Sequence, residues 1–288
     1  MYQIARHIGS QLLTWSIAQC TMKILVPIDF STNSISALEF GLALAKREKK
    51  EVGLLYIIEQ VYDFAFQTAV ILDNQWKEAE EKLIDLTRQF SGSGVPISYQ
   101  IEEGTPSIHI VRNATETDAD LIVMGTRGAH GVKKLLIGST AASVIKETNV
   151  PVLVIPENAN LSHIQKITLA LEFADHEPQH LDWVIHKSSQ WQMGLDFLHV
   201  QSGDNFKEEL SVLGLEKYIT NKFPGFPVKI HTFFAETPSD GLELYMQEHE
   251  ESILMVCHKH RSLWSQLLES SKSLSLTYTA PIPILVMV

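Results

Sequence analysis

Residues 121–140 read LIVMGTRGAHGVKKLLIGST, and the class of fold can be predicted from this stretch. It opens with an apolar run of the kind that forms a buried strand. A glycine-rich loop follows, and the pair Gly138-Ser139 then opens a segment with helical spacing up to about Glu147. A buried strand that leads through a loop into a helix is the repeating unit of α/β domains, so this stretch predicts a parallel sheet covered by helices.

The loop in this stretch has the residues expected of a phosphate-binding site. Gly125 and Gly128 let the backbone pass close to a bulky anion, and both can accept a positive φ. The N–H groups and the dipole at the helix start favour phosphate, and Ser139 and Thr140 add two hydroxyl groups. The same loop carries three cations, Arg127, Lys133 and Lys134. A phosphate compound is the predicted ligand; the alternative is that these glycines only build a tight turn.

The chain carries this organisation twice. Five segments have counterparts later in the chain, in the same order: 22–31 with 165–173, 52–57 with 193–198, 104–106 with 236–238, 121–124 with 253–256, and 150–154 with 282–286. A chain of 288 residues is long enough for two domains of ordinary size. We predict a first domain at 22–157 and a second, degenerate one at 163–288, with residues 1–21 as a non-structural extension.

Helical patterns alternate with the predicted strands. In the first copy, Ser31 offers an N-cap oxygen for one helix, and residues 76–90 have the spacing of a second. Thr105 and Pro106 mark the cap and the first position of a third. We therefore predict an α/β protein of two tandem doubly wound domains, each with a mostly parallel five-stranded sheet. Ligands of such sheets bind at the carboxyl ends of the strands.

Composition narrows the partners. The formal net charge of −11 gives no excess of cations to grip a nucleic-acid backbone. No apolar run reaches the roughly 18–20 residues of a membrane-spanning helix, and two distant cysteines favour a reducing compartment. We expect a cytoplasmic protein with no nucleic-acid or membrane partner. For residues 1–21 a secretory signal is the alternative, and Met22 is an alternative start.

With this loop and its flanking elements, the chain resembles the universal stress protein family, as a tandem pair of domains over essentially all of 22–288. The resemblance implies a Rossmann-like fold of the adenine-nucleotide alpha-hydrolase type. It also implies ATP or a related adenine nucleotide in the first domain, with Mg²⁺ as a further candidate. The residues assigned to nucleotide binding are Pro27, Ile28, Asp29, Ile57, Met124, Gly125, Arg127, Gly128, Gly138, Ser139 and Thr140.

The resemblance also implies roles for these residues. Asp29 is expected to face the nucleotide, and Pro27 and Ile28 to line its pocket. Ile57 is expected to contact adenine, and Met124 to touch the nucleotide just before the loop. For Asp29, the alternative is a plain turn and cap residue.

The second domain departs from this pattern. Its replacements are Cys257 for Gly125, His260 for Gly128, Ser270 for Gly138, Ala170 for Pro27 and Glu172 for Asp29. Side chains then occupy the space that phosphate needs, so we expect this domain to bind no ATP in the usual mode and to pair with the first. A zinc or copper site at Cys257, His258 and His260 is one alternative. A redox role for the Cys257 thiol is another.

The leading functional hypothesis is a nucleotide-dependent stress-response or signalling protein. We see no general base opposite the phosphates in the sequence, so we assign no catalytic residue and expect at most weak ATP hydrolysis. The alternative is an interaction protein that binds no nucleotide. An adenylating ligase or nucleotidyl transferase is disfavoured, because residues 27–31 carry neither the phosphate loop nor the histidine motif of such enzymes.

The last strand of each domain suggests how the domains assemble. Both strands are apolar and would be exposed edges in separate domains, and such edges pair readily. Members of the resembled family dimerise by pairing their last strands antiparallel. The two halves of this chain are expected to pair in that way within one molecule, with a homodimer as a further alternative.

Overall fold

The computed structural model describes residues 23–59, 69–126, 138–157, 159–173, 178–201, 203, 206–257 and 282–288, over which strands and helices alternate. The strands are β1 (Lys23–Ile28), β2 (Val52–Ile58), β3 (Ile97–Glu103), β4 (Ala119–Gly125), β5 (Val152–Ile155), β6 (Lys166–Leu171), β7 (Gly194–Gln201), β8 (Ile230–Phe234), β9 (Ser252–Cys257) and β10 (Ile284–Met287). The helices are α1 (Thr32–Glu48), α2 (Ala69–Gln89), α3 (Pro106–Glu116), α4 (Ser139–Glu147), α5 (Pro178–Gln190), α6 (Phe206–Lys222) and α7 (Pro238–Glu248).

These strands form one ten-stranded sheet in the order β3-β2-β1-β4-β5-β10-β9-β6-β7-β8. We call β1–β5 with α1–α4 the first half, and β6–β10 with α5–α7 the second half. Read outward from the middle of the sheet, the two halves have the same strand order. All neighbouring strands are parallel except β5 and β10. The predicted α/β fold with a mostly parallel sheet is confirmed.

β5 and β10 join the halves in the middle of the sheet. They pair antiparallel, with Leu285 opposite Leu153 and Ile284 opposite Val154. Leu153 and Leu285 are the fourth residues of the repeated segments 150–154 and 282–286, so they are equivalent positions. An approximate two-fold axis therefore passes between them, and the carboxyl ends of the strands lie on opposite edges of the sheet in the two halves.

Helices cover both faces of the sheet, because the strand side chains alternate between the faces. One buried cluster contains Val26 and Val123 and packs against α1, α2, α5 and α6. The other contains Leu25 and Ile122 and packs against α3, α4 and α7. Both clusters include residues of both halves, so each face has a core that continues across the β5–β10 pair.

The helix starts agree with the sequence at two places and differ at a third. The Ser31 hydroxyl caps α1 by accepting a hydrogen bond from the Ser34 N–H at 3.2 Å, and α4 has the predicted bounds. Thr105 stands at the N-cap position of α3, but its side chain makes no capping hydrogen bond, so that part of the prediction is wrong. Thr105 is exposed, and water can satisfy the helix donors there.

Across the described ranges, none of the helices combines the length and the apolar composition needed to cross a membrane.

Candidate nucleotide-binding site

Several predicted site residues lie where the strands of the first half have their carboxyl ends, which we call the carboxyl edge of that half. β1 and β4 are parallel neighbours, so Asp29 and Gly125, at their ends, lie on the same edge of the sheet. α1 and α4 begin at this edge, because each follows one of these strands. The strand order reverses between β1 and β4, which is the place where open sheets of this kind bind ligands.

Asp29 is held in the turn between β1 and α1. Its Oδ1 accepts hydrogen bonds from the Ser31 N–H at 3.0 Å and from the Ser31 hydroxyl at 2.6 Å. Phe30, between them, has a φ of 61°, which tightens the turn. The carboxylate is therefore fixed at the strand end by the same serine that caps α1, and it has a turn role whether or not it also meets a ligand.

Gly125 is required for the packing of β4 against α1. A Cβ atom at this position would lie 2.7 Å from the carbonyl oxygen of Asn33, closer than real Cβ atoms approach any neighbour. The φ of Gly125 is not positive, so the tolerance of glycine for a positive φ is not used at this position. Because the residue ends a strand with ordinary backbone angles, the reason for glycine is the close approach of the α1 backbone and not a left-handed conformation.

A buried hydrogen-bond acceptor lies beside Gly125. Asn33 is only 7% exposed, and its Oδ1 has no hydrogen-bond partner among the residues that the structure describes. Buried amide oxygens are almost always hydrogen-bonded. Within the described part of the chain, the Asn33 Oδ1 is therefore an acceptor without a donor, next to the point where the loop leaves β4.

One main-chain hydrogen bond closes the stem of that loop, and a second joins the stem to the end of β5. The Gly138 N–H donates to the carbonyl oxygen of Thr126 at 2.6 Å, and the Thr126 N–H donates to that of Ile155 at 3.0 Å. The chain therefore leaves β4 and returns to the same place before α4 begins. Arg127 and Gly128 lie outside the described residues, so their predicted contacts stay predictions.

No described side chain caps the amino terminus of α4. Gly138 occupies the N-cap position with φ −54° and ψ 150°, whereas Ser31 and Thr237 cap α1 and α7 with their hydroxyls. The first N–H groups of a helix have no partner within it, and together with the dipole they favour an anion. Ser139 is exposed and Thr140 half-buried, so their hydroxyls lie at the start of the helix beside these groups.

The apolar residues predicted to line the pocket do not share one face of the sheet. Ile57 and Met124 pack with the cluster under α3 and α4. Ile28 is 3% exposed and packs on the opposite face, under α1 and α2. Because neighbouring strand residues point to opposite faces, Pro27 lies on the side of Ile57 and Met124. Only the main chain of Ile28 is therefore available to a ligand on that side.

Sequence reasoning missed an aromatic pair at this edge. The ring centroids of Phe30 and Tyr56 are 5.0 Å apart, and the Lys82 ammonium lies 5.6 Å from the centre of the Phe30 ring. Burial raises the pKa of Tyr56; Lys82 opposes the rise, and nearby carboxylates, Asp29 among them, add to it. The sequence contains the information needed to predict this pair, because Phe30 and Tyr56 lie near the ends of β1 and β2, which are neighbours in the sheet.

Comparison with known proteins agrees with this architecture. A sequence profile of the universal stress protein family matches residues 21–156. A universal stress protein of Methanocaldococcus jannaschii is 36% identical over 138 residues, which cover 46% of this chain and 81% of that protein. The chain belongs to the universal stress protein family.

Two further members of the family show how far the likeness extends. A second universal stress protein of M. jannaschii is 30% identical over 151 residues, covering 46% of this chain and 93% of that protein. The crystal structure of a universal stress protein from Archaeoglobus fulgidus has a TM-score of 0.71, covers 92% of this chain and 98% of its own, and is 22% identical. At that identity the likeness shows the fold alone, and it includes both halves.

In this universal stress protein the second half has different residues at its own carboxyl edge. Cys257 ends β9 where Gly125 ends β4, and it is buried. His199 stands opposite Leu171 in the sheet as Tyr56 stands opposite Ile28, so 52–57 is equivalent to 195–200, and the predicted counterpart 193–198 is wrong by two residues. The edge that is lined by an aromatic pair in the first half therefore has an imidazole in the second.

The contacts of His199 show that this imidazole is built into the fold. Its Nδ1 lies 3.2 Å from the carbonyl oxygen of Leu171, and its Nε2 lies 3.3 Å from a carboxylate oxygen of Glu208 in α6. Its ring centroid is 4.6 Å from that of Phe173, which has a φ of 57° and so repeats the turn of Phe30. The turn is kept in both halves, but the surroundings of the strand ends differ.

The alternative metal site falls largely outside the described residues. His258, His260 and Ser270 are not described. Within the described part of the chain, no group of three or more histidine, cysteine, aspartate or glutamate side chains is placed to hold a metal ion. The metal and thiol hypotheses for Cys257 therefore stay predictions.

Proposed function

We propose that the first half binds an adenine nucleotide, with ATP as the leading candidate, and that the protein acts in a nucleotide-dependent stress response or in signalling. The observation that carries the proposal is the start of α4, which no described side chain caps, at the closed stem of the loop 127–137. An uncapped helix start at the switch point of a parallel sheet is suited to phosphate. The universal stress protein family is one whose ATP-binding members use this glycine pattern.

The described residues fit the two ends of a nucleotide. At the phosphate end, the N–H groups of the first turn of α4 and the hydroxyls of Ser139 and Thr140 donate hydrogen bonds. At the base end, Pro27, Ile57 and Met124 share one face and offer apolar contact. Mg²⁺, if it accompanies ATP, is expected to bind mainly through the phosphates, since it keeps several of its waters.

The substitution Gly138→Asp tests the site. Gly138 has backbone angles that any residue adopts, and an aspartate at an N-cap stabilises a helix. Its carboxylate would occupy the helix donors and repel phosphate, so the fold should survive while binding is lost. In a thermal-unfolding titration, ATP at one hundred times its dissociation constant should stabilise the unsubstituted protein by about 2.7 kcal/mol, and should not stabilise the variant.

The matched control is Thr105→Asp, which places the same charge at the start of α3. It should leave the stabilisation by ATP unchanged. If Gly138→Asp binds ATP as well as the unsubstituted protein does, the phosphates do not lie at α4 and the assignment of the site is wrong. If ATP stabilises none of the three proteins, the second candidate function applies.

That second candidate is an interaction protein without a nucleotide. It is favoured by the observation that Gly125 and Asp29 each have a complete role in the fold, one in packing against Asn33 and the other in holding Ser31. These two residues therefore do not by themselves require a ligand. Among the described residues, the N–H groups at the start of α4 and the Asn33 Oδ1 have no partner in the fold, and for that reason we favour the nucleotide.

A further inference from the structure

The junction between the halves contains a buried ion cluster at the end of α1. The side chain of Glu48 is 1% exposed, and its Oε2 accepts hydrogen bonds from the Lys187 ammonium at 2.7 Å and from Lys50 at 2.8 Å. Its Oε1 accepts a hydrogen bond from the indole N–H of Trp191 at 2.5 Å. Arg47 donates to the carbonyl oxygen of Trp191. The acidic partner is in the first half, whereas Lys187 and Trp191 belong to the second.

Glu48 and Trp191 occupy equivalent places in the two halves. Each stands directly before the residue that leaves its helix with a positive φ, Lys49 at 57° and Gln192 at 55°. Val52 of β2 pairs with Ile24, and Leu195 of β7 pairs with Ile167, the residue equivalent to Ile24; each lies three residues after its positive-φ residue. Their contact is therefore one between equivalent positions, as expected beside the approximate two-fold axis between Leu153 and Leu285.

The paired strands cannot by themselves tell one half from the other. β5 reads VLVI and β10 reads ILVM, and all eight side chains are buried and apolar. Edge strands of such similar sequence would pair with a second copy of themselves as readily as with each other. Any preference for the correct partner has to come from the helices beside the strands.

The residues around Glu48 supply that preference. One turn before Trp191 stands Lys187, whose ammonium lies 5.6 Å from the ring centre of Trp183 and 6.0 Å from that of Trp191. The equivalent of Lys187 in the first half is Leu44, which is buried. A first half placed against another first half would therefore bring two Glu48 carboxylates together with leucine in the place of the lysine.

Such a meeting is unfavourable. Each Glu48 would keep its own Lys50 but would lose the Lys187 ammonium and the Trp191 N–H, and two carboxylates that share a buried site cannot both ionise without a large cost. We propose that the Glu48 cluster makes the surface formed by β5 and the end of α1 accept the second half of this chain and reject a second copy of the first half. The contacts between Glu48, Lys187 and Trp191 decide the partner, while the strands contribute pairing without discrimination.

The test substitutes residues of the second half, in the full chain, by their equivalents in the first half. Lys187→Leu with Trp191→Glu introduces the second carboxylate and the leucine that would meet Glu48 if two first halves were paired. The unfolding midpoint of this double variant should fall by about 5 °C or more. Adding Glu48→Gln should then raise the midpoint, because it removes one of the two facing carboxylates. In the unsubstituted chain the same Glu48→Gln change should lower the midpoint, because it leaves Lys187 without its ion partner.

The reversal of sign is the expected result, and a role of these residues in packing alone would not produce it. If Glu48→Gln lowers the midpoint equally in both backgrounds, the proposal is overturned. Glu39→Gln, a neutralisation at an exposed position of α1, is the control and should change neither midpoint.

A milder background covers the case in which the double variant does not fold. In Lys187→Leu alone, Glu48 keeps Trp191 and Lys50, so Glu48→Gln should lower the midpoint by less than half of its effect in the unsubstituted chain. An equal loss in both chains would show that Glu48 and Lys187 are not coupled, and would also overturn the proposal.

Discussion

At the scale of the residue, one glycine shows how a motif position can serve the fold. A pattern of glycines after a strand suggests a phosphate loop, and Gly125 has a place in that pattern. Its own environment gives a simpler reason, because the backbone of Asn33 occupies the space that a side chain would need. The residue therefore brings α1 close to β4, and in doing so it sets the distance between the two helix starts at the candidate site.

Gly125→Ala should destabilise the protein by about 1–3 kcal/mol, as expected when a methyl group is forced into a packed interior. Chemical denaturation at a fixed pH measures the change. Gly92→Ala is the control, since a Cβ atom at Gly92 would meet no neighbour within 4 Å. A Gly125→Ala variant as stable as this control would mean that α1 can move away from β4 at little cost.

At the scale of the element, α1 extends from the candidate site to the junction between the halves. It has 17 residues, or about 25 Å of helix. It begins at the candidate site, where Ser31 caps it and Asn33 faces Gly125, and it ends at Glu48 in the junction between the halves. The same helix therefore has a polar contact at each end, and each contact can be tested separately.

The acid stability of the protein should depend on the end of α1. Burial alone would raise the pKa of Glu48, but hydrogen bonds from Lys187, Lys50 and Trp191 outweigh it and hold that pKa below its ordinary value of about 4.5. Above this ordinary value the contribution to stability is complete, and it is lost as the pH falls through the lower pKa of the folded state.

The free energy of unfolding of the unsubstituted protein should therefore fall more steeply below about pH 4.5 than that of Glu48→Gln. Denaturation at a series of pH values from 7 downward measures both curves. Asp120, which contacts Lys50, is the further charged group beside the cluster and is present in both proteins. Parallel curves would show that the ionisation of Glu48 does not differ between the folded and unfolded states.

At the scale of the whole molecule, one sheet with two opposed carboxyl edges presents two unlike sites. The edge of the first half has glycine at the end of β4 and a helix start, that of α4, for which the described residues offer no side-chain cap. The edge of the second half has Cys257 at the end of β9, and His199, whose ring is hydrogen-bonded to the Glu208 carboxylate. The repeat has kept the architecture of both edges while changing their chemistry.

We therefore expect one nucleotide for each chain of 32.4 kDa. Native mass spectrometry of the protein with an excess of ATP should show a single added nucleotide, and the Gly138→Asp variant should show none. Two nucleotides for each chain would mean that the second half also binds, in spite of its replacements.

Several features could be predicted from the sequence because they depend on neighbours in the chain. Hydrophobic periodicity located the strands and helices, the repeated order of segments indicated matching halves, and Ser31 marked the start of α1. The site was predicted as a set of positions at strand ends. The side of the sheet to which Ile28 points was not included in that prediction, and the aromatic pair of Phe30 and Tyr56 was missed.

The alternation of elements, the duplication and the place of the glycine loop could be predicted from the chain alone, since each depends on residues that are close together in sequence. Three contacts could be found only in the folded molecule: the backbone of Asn33 lies against Gly125, His199 occupies the position of Tyr56, and Glu48 is bonded to Lys187 and Trp191. The reason is physical: such contacts join residues far apart in the chain, and strand register and helix packing, which no local pattern specifies, bring them together.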